Sequence, residues 1–154
     1  MKQRLLTILK FFKRKVNKTI HPNKTERSNV LTPDRIKIIS AKLSVFMREN
    51  KPFLHFGYGL RDLADAIKIP PYQLSAYINR VLGYNFNDYL NQYRVRYCED
   101  LIQKGLIDHL NLKGLAVKCG FNNRTTLNNA FKRFTGSPPA HYLKGWKKKH
   151  NSSF

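Results

Sequence analysis

Two short stretches of the chain carry side chains of the kind that grip phosphates and read base edges. In the later one, Asn123, Arg124, Thr125, Asn128, Asn129, Lys132 and Arg133 alternate with the apolar residues Leu127, Ala130, Phe131 and Phe134, and no carboxylate stands among them. A guanidinium can grip guanine with two hydrogen bonds, an asparagine amide can pair adenine, and a lysine suits a phosphate. Arg124 and Asn128 are four apart and so share one helical face. In the earlier stretch the outward positions are Tyr72, Gln73, Ser75, Ala76, Asn79 and Arg80. Serine and alanine offer little hydrogen-bond discrimination, so base reading is expected mainly from the later stretch, with Lys132 on a phosphate. A solvated polar face on a plain helical hairpin would show the same residue types, and the surrounding elements must decide between the two.

Those elements repeat. Leu112, Leu115, Ala116 and Cys119 follow helical spacing up to Gly120, and Leu127 to Phe134 mark a second helix closed by Gly136, which together predict a helix-turn-helix. The same theme appears earlier, with Leu60, Leu63, Ala64 and Ile67, a turn at Pro70-Pro71, then Leu74, Tyr77, Ile78 and Val81 up to Gly83. Arg80, Gly83 and Tyr89 match Arg133, Gly136 and Tyr142 at an offset of 53 (133 − 80), whereas Leu63-Ala64 match Leu115-Ala116 at 52 (115 − 63). A duplicated packing unit explains this, because the matched residues are the helix stops and core positions.

Around the copies, Thr32-Pro33-Asp34 opens a helix with a cap, a proline at the first position and an acid at the positive end of the dipole. Its stripe is Ile36, Ile39, Leu43, Phe46 and Met47, and Pro52 ends it near Asn50. Residues 53–59 read as an aromatic loop with its rings in the core. Residues 86–103 form a long helix with more than one apolar face, expected between the two lobes where it sets their spacing. Ser137-Pro138-Pro139 caps a last helix to about Trp146, followed by a basic tail. Gly59 stands at a cap position and Gly114 inside a helix, where alanine would be better by roughly 1 kcal/mol. The expectation is an all-α chain: a basic segment over 1–31, a helix over 32–52, a domain over 53–147 (lobes about 60–85 and 111–146, linker helix 86–103), and a tail over 148–154.

Composition narrows the partners. The 154 residues hold 29 Lys+Arg against 9 Asp+Glu, a net charge of +20 and a pI near 10.3, which suits a chain that meets a polyanion. Residues 1–31 carry nine of those cations against Glu26 alone, and Leu5, Ile8, Leu9, Phe12 and Val16 follow helical spacing. That segment reads equally as a basic amphipathic helix, able to lie on a membrane surface through residues 1–20, on DNA or on a partner protein, or as a partly disordered basic arm; the first makes a membrane- or partner-docked interaction protein the alternative function. Arg94 and Arg96 would touch phosphate or cap the lobes, though solvated surface charge is the simpler expectation. Cys98 and Cys119 fall at apolar positions and read as reduced core residues of a cytoplasmic protein. No run spans a membrane, since Lys10 interrupts the only apolar stretch, and no secretory cleavage site follows it. The five histidines are scattered and no acid pair, metal spacing or phosphate-cradling glycine loop appears, so neither an enzyme nor a cofactor is expected.

The chain resembles the DNA-binding domain of the AraC/XylS family of bacterial transcription regulators. The resemblance rests on Leu112, Leu115-Ala116, Gly120-Phe121, Leu127, Phe131-Lys132, Phe134, Gly136, Pro138-Pro139 and Tyr142, and in the first copy on Leu63-Ala64, Ile69-Pro70-Pro71, Leu74-Ser75, Gly83, Phe86 and Tyr89. The helix over 32–50 is also similar to the segment preceding this domain in a subgroup with a membrane-embedded sensor. The resemblance implies a double-stranded DNA partner, with RNA polymerase as a further one, and base-facing positions at Tyr72, Ser75 and Ala76 and at Arg124, Thr125, Asn128 and Asn129. The sensing or dimerisation domain usual in the family is replaced here by the basic stretch, so a monomer on DNA is expected.

Overall fold

In a computed structural model, residues 31–106 and 111–150 are described, and all regular structure among them is helical. In chain order they form α1 (Pro33–Asn50), α2 (Leu60–Ala66), α3 (Pro71–Ala76), α4 (Phe86–Gln103), α5 (Leu112–Lys118), α6 (Arg124–Thr135) and α7 (Pro139–His150). A 3-10 turn, Pro52–Leu54, follows α1, and a π turn, Tyr77–Val81, continues α3. The expectations for the basic segment fall on residues 1–30, outside the described residues. No described helix is long and apolar enough to cross a membrane.

The described residues divide into two compact units, the first built from residues 31–46 with Leu60–Phe86, the second from Met47–Gly59 with residues 87–106 and 111–150. In the first, α1 buries Ile39 and Leu43, and the helix-turn-helix buries Leu63, Ala64, Ile67, Ile69, Leu74, Tyr77 and Ile78. Two hydrogen bonds tie α1 to that lobe: Arg35 Nε donates to Gln73 Oε1 (2.6 Å) and Lys42 Nζ to the Ile67 carbonyl (3.2 Å). The start of α1 follows its cap signals, with Thr32 Oγ1 accepting from the Arg35 amide and the Ile36 amide bonding back to the Thr32 carbonyl.

The second unit packs Val95, Cys98, Leu101 and Ile102 of α4 against Leu115, Ala116, Cys119 and Phe121, and against Leu127, Ala130 and Phe131 of α6. Along α4 the buried residues run from Asp88 to Ile102 and cover more than one face of the helix. Of the aromatic loop, Phe53 is buried and stacks on Tyr93 (ring centroids 5.5 Å apart), whereas Phe56, just before the left-handed Gly57, is 75% exposed. The expectation that the loop's rings all enter the core therefore holds for Phe53 and not for Phe56, because the turn carries Phe56 out to solvent.

Both helix-turn-helix turns are built alike. Lys68 (φ 55) and Gly120 (φ 79) are left-handed, and the next amides bond five residues back, Ile69 to Ala64 and Phe121 to Ala116. These residues match at an offset of 52 (120 − 68). The offset becomes 53 at the caps of the second helices, Pro70 and Asn123, so the residue gained in the second copy is Asn122. Gly120 is required for a second reason: a Cβ there would lie 2.4 Å from the Phe53 carbonyl oxygen and 2.8 Å from Leu54 Cα.

Three local features differ from expectation. The second helix of lobe one is not a regular α-helix to Gly83: it widens after Ala76, the Leu82 amide bonding to the Tyr77 carbonyl five residues back and the Tyr84 amide to Ile78. Its apolar spacing fits either ladder, so the period alone does not reveal the widening. Gly114 lies in the first turn of α5 rather than its interior, and its amide bonds to the cap side chain, Asn111 Oδ1 (2.8 Å), so much of the expected mid-helix cost is absent. Finally, α7 runs to His150, since no proline or β-branched residue follows Trp146 to stop it.

Candidate nucleic-acid interface

The residues of α6 separate into two sides, as the spacing requires. Leu127, Ala130 and Phe131 are buried, and Asn123, Arg124, Thr125, Asn129, Lys132 and Arg133 are exposed. Its start is fixed by a reciprocal cap: Asn123 Oδ1 accepts from the Thr126 amide (2.9 Å), and Thr126 Oγ1 accepts from the Asn123 amide (3.4 Å). Asn123 is thus held at the helix entrance as a cap. At the other end the Gly136 amide bonds to the Lys132 carbonyl in a left-handed turn. The result is a helix with well-defined ends whose outward face carries cations, amides and a hydroxyl.

Two of these residues are placed differently from the rest. Arg133 donates two parallel hydrogen bonds to Asp88, Nη1 to Oδ1 at 2.7 Å and Nη2 to Oδ2 at 2.8 Å, and lies 5.7 Å over the Phe134 ring. Asp88 sits in the first turn of α4 with its side chain only 13% exposed, so this pair ties α6 to the start of the long helix. Asn128 is half-buried, and its Oδ1 is buried with no hydrogen-bond partner among the described residues. With that oxygen covered, Asn128 does not present both amide atoms for adenine pairing in this conformation.

In the first lobe Tyr72, Asn79 and Arg80 are exposed, and Gln73, Ser75 and Ala76 are half-buried. Asn79 Nδ2 donates to Ser75 Oγ at 3.3 Å. Asn79 and Arg80 lie in the π turn, so their directions differ from those of a straight helical projection. Gln73 is held between α1 and Tyr72: its Oε1 accepts from Arg35, and its Nε2 donates to the Tyr72 hydroxyl at 3.1 Å.

Arg94 is not a solvated charge. It is half-buried, its Nε donating to the Phe53 carbonyl (2.6 Å) and its Nη1 to Asn91 Oδ1 (3.2 Å), with the guanidinium 5.7 Å from the Phe121 ring centroid; burial lowers its pKa. It braces the turn before α6 from behind. Periodicity encodes none of the partners of Arg35, Asp88 or Arg94; an acid in the first turn of α4 is the one local sign of such a pair. Cys98 and Cys119 are free and buried; the Cys98 thiol is pushed up by its hydrogen bond with Cys119 and then by burial. The last helix is pinned through Tyr142, whose hydroxyl accepts from Gln103 Nε2 (3.1 Å) and also bonds to Glu99. Burial raises the pKa of both Glu99 and Tyr142.

A family model described as a helix-turn-helix domain matches residues 63–145, more than half of the chain. The chain belongs to the AraC-type helix-turn-helix family. Among solved structures, this AraC-type chain is similar to a Listeria innocua protein of unknown function, with 30% identity, a TM-score of 0.55, and 70% of this chain and 95% of that one covered. It is also similar to the DNA-binding domain of the global transcriptional factor AdpA, solved in complex with a target DNA (21% identity, TM-score 0.58, 71% and 93% covered). A third is the C-terminal domain of AraT, a response regulator from Geobacillus stearothermophilus (22%, TM-score 0.56, 75% and 87% covered). No curated relative matches the chain in sequence. Family and fold are those of DNA-binding transcription regulators.

Proposed function

We propose that this AraC-type chain is a sequence-specific regulator of transcription that places α3 and α6 in successive major grooves of double-stranded DNA. The observation that carries the reading is α6: a capped helix with Arg124, Thr125, Asn129 and Lys132 exposed while Leu127 and Phe131 are buried, and no carboxylate on it. Two recognition helices on one chain can meet major grooves about one turn, ~34 Å, apart, so a monomer suffices for a non-palindromic site. RNA polymerase is the further partner such a regulator would meet, and the cytoplasm is where it would work. No catalytic role is assigned.

Selection from a random DNA pool tests this. A defined motif is expected, and Arg124→Ala should relax it at one or two adjacent base pairs, since a bidentate contact is worth roughly 1–3 kcal/mol. Lys132→Ala should weaken all sequences alike. The net charge of +20 favours a second reading, nonspecific binding by charge alone. That reading predicts no preference for a specific over a scrambled duplex at any salt concentration, together with a steep salt slope.

A further inference from the structure

In the first lobe, Arg35, Gln73 and Tyr72 form a directed chain of hydrogen bonds that ends on an exposed hydroxyl. An arginine has only donors, so the 2.6 Å contact from Arg35 Nε fixes Gln73 with Oε1 toward α1. The Gln73 amide nitrogen is thereby turned to Tyr72, whose hydroxyl oxygen accepts from it at 3.1 Å. A phenol that accepts such a bond keeps its hydrogen to give, and Tyr72 is 53% exposed. Each bond in such a chain polarises the next, so the charge on Arg35 strengthens the phenol as a donor. Nearby, Ser75 Oγ is already bonded by Asn79, and Ala76 has no polar atom on its side chain.

We infer that Tyr72 donates a hydrogen bond to an acceptor on a base edge in the half-site met by the first lobe, and that Arg35 on α1 is the positioning residue that aims it through Gln73. Major-groove acceptors are the purine N7, guanine O6 and thymine O4, whereas cytosine N4 and adenine N6 present donors. The lobe would therefore favour an acceptor at one position and disfavour a base that offers a donor there. The inference rests on the DNA-reading function proposed above, and it brings α1, which lies outside the helix-turn-helix, into the reading of sequence.

The experiment uses the whole chain and the duplex motif selected from a random pool, with every base pair of the first half-site varied in turn. Wild type, Arg35→Ala, Tyr72→Phe, the double variant and Arg124→Ala are compared for relative affinity, salt slope and thermal stability. Arg35→Ala and Tyr72→Phe should lose preference at the same base pair, each by about fivefold, the size of one net hydrogen bond. The double variant should lose no more than either single, and Arg124→Ala should keep that preference while relaxing another. If Arg35→Ala weakens all sequences alike and flattens the salt slope by about 0.9, Arg35 is a phosphate contact and the inference is overturned. It is equally overturned if Arg35→Ala only lowers the melting temperature, or if Tyr72→Phe leaves the preference intact. A wild type with no sequence preference anywhere would overturn the proposed function itself, an outcome distinct from the loss of this one contact.

Discussion

Replacing Arg133 with alanine removes both hydrogen bonds to Asp88, at 2.7 and 2.8 Å, and leaves a carboxylate only 13% exposed without its guanidinium partner. A hydrogen bond to a charged group contributes about 1.5–3 kcal/mol, and breaking a buried pair costs more. Arg133 itself is 62% exposed, so solvent screening reduces the loss to roughly 1–2 kcal/mol. For a chain of this size that lowers Tm by about 2–8 °C. Asp88→Ala should cost a similar amount, and the double variant less than the sum, because the two residues share one interaction. On DNA, Arg133→Ala should change the salt slope by well under the ~0.9 expected for a lost phosphate contact, since the guanidinium is already engaged. Thermal melts and binding across a salt series measure both quantities on the same samples. An unchanged Tm together with a slope flatter by about 0.9 would refute the reasoning and make Arg133 a phosphate ligand.

Gly120→Ala should destabilise by roughly 2–5 kcal/mol in denaturant titrations, because it adds a left-handed alanine and a Cβ 2.4 Å from the Phe53 carbonyl oxygen. At the matching turn the effect reverses: Lys68→Gly should stabilise by roughly 0.5–1 kcal/mol, relieving a φ of 55 at the cost of some chain entropy. Asn128→Ala should raise Tm slightly, because it removes a buried acceptor without a partner; a fall of several degrees would mean that Oδ1 is satisfied in solution. Burial raises the Glu99 pKa, so its contribution is fully present below the ordinary carboxylate pKa and is lost as pH rises through the raised value. Glu99→Gln should therefore gain stability relative to wild type as pH rises through that window, and parallel pH profiles would contradict the assignment.

Much of the fold is legible in the chain because its causes are local. Thr32-Pro33-Asp34, Gly83, Gly120 and Gly136 act within one turn of where they stand, and the spacing of Leu115, Ala116, Leu127 and Phe131 marks a buried face whatever it packs against. For the same reason the exposure of Arg124, Thr125, Asn129 and Lys132 on α6 follows from their spacing, whereas that of Asn128 does not. The repeat was visible too, though its change of offset acquires a cause only when Lys68 and Gly120 are seen in matching turns, with Asn122 following the second.

Only tertiary structure decided the partners of the long polar side chains. Arg133 meets Asp88 across 45 residues, Arg94 meets Phe53 across 41 and Arg35 meets Gln73 across 38. No periodicity encodes such pairs, since a flexible guanidinium bonds to whichever acceptor the packed backbones bring within reach. The π turn after Ala76 and the covered oxygen of Asn128 belong with them, because apolar spacing fits either helical ladder and burial of one amide atom depends on neighbours distant in the chain. Residue types and spacing therefore determined that this chain carries helix-turn-helix units with polar, carboxylate-free outward positions on α6, while three-dimensional packing decided which of its polar groups are bound within the protein and which face outward.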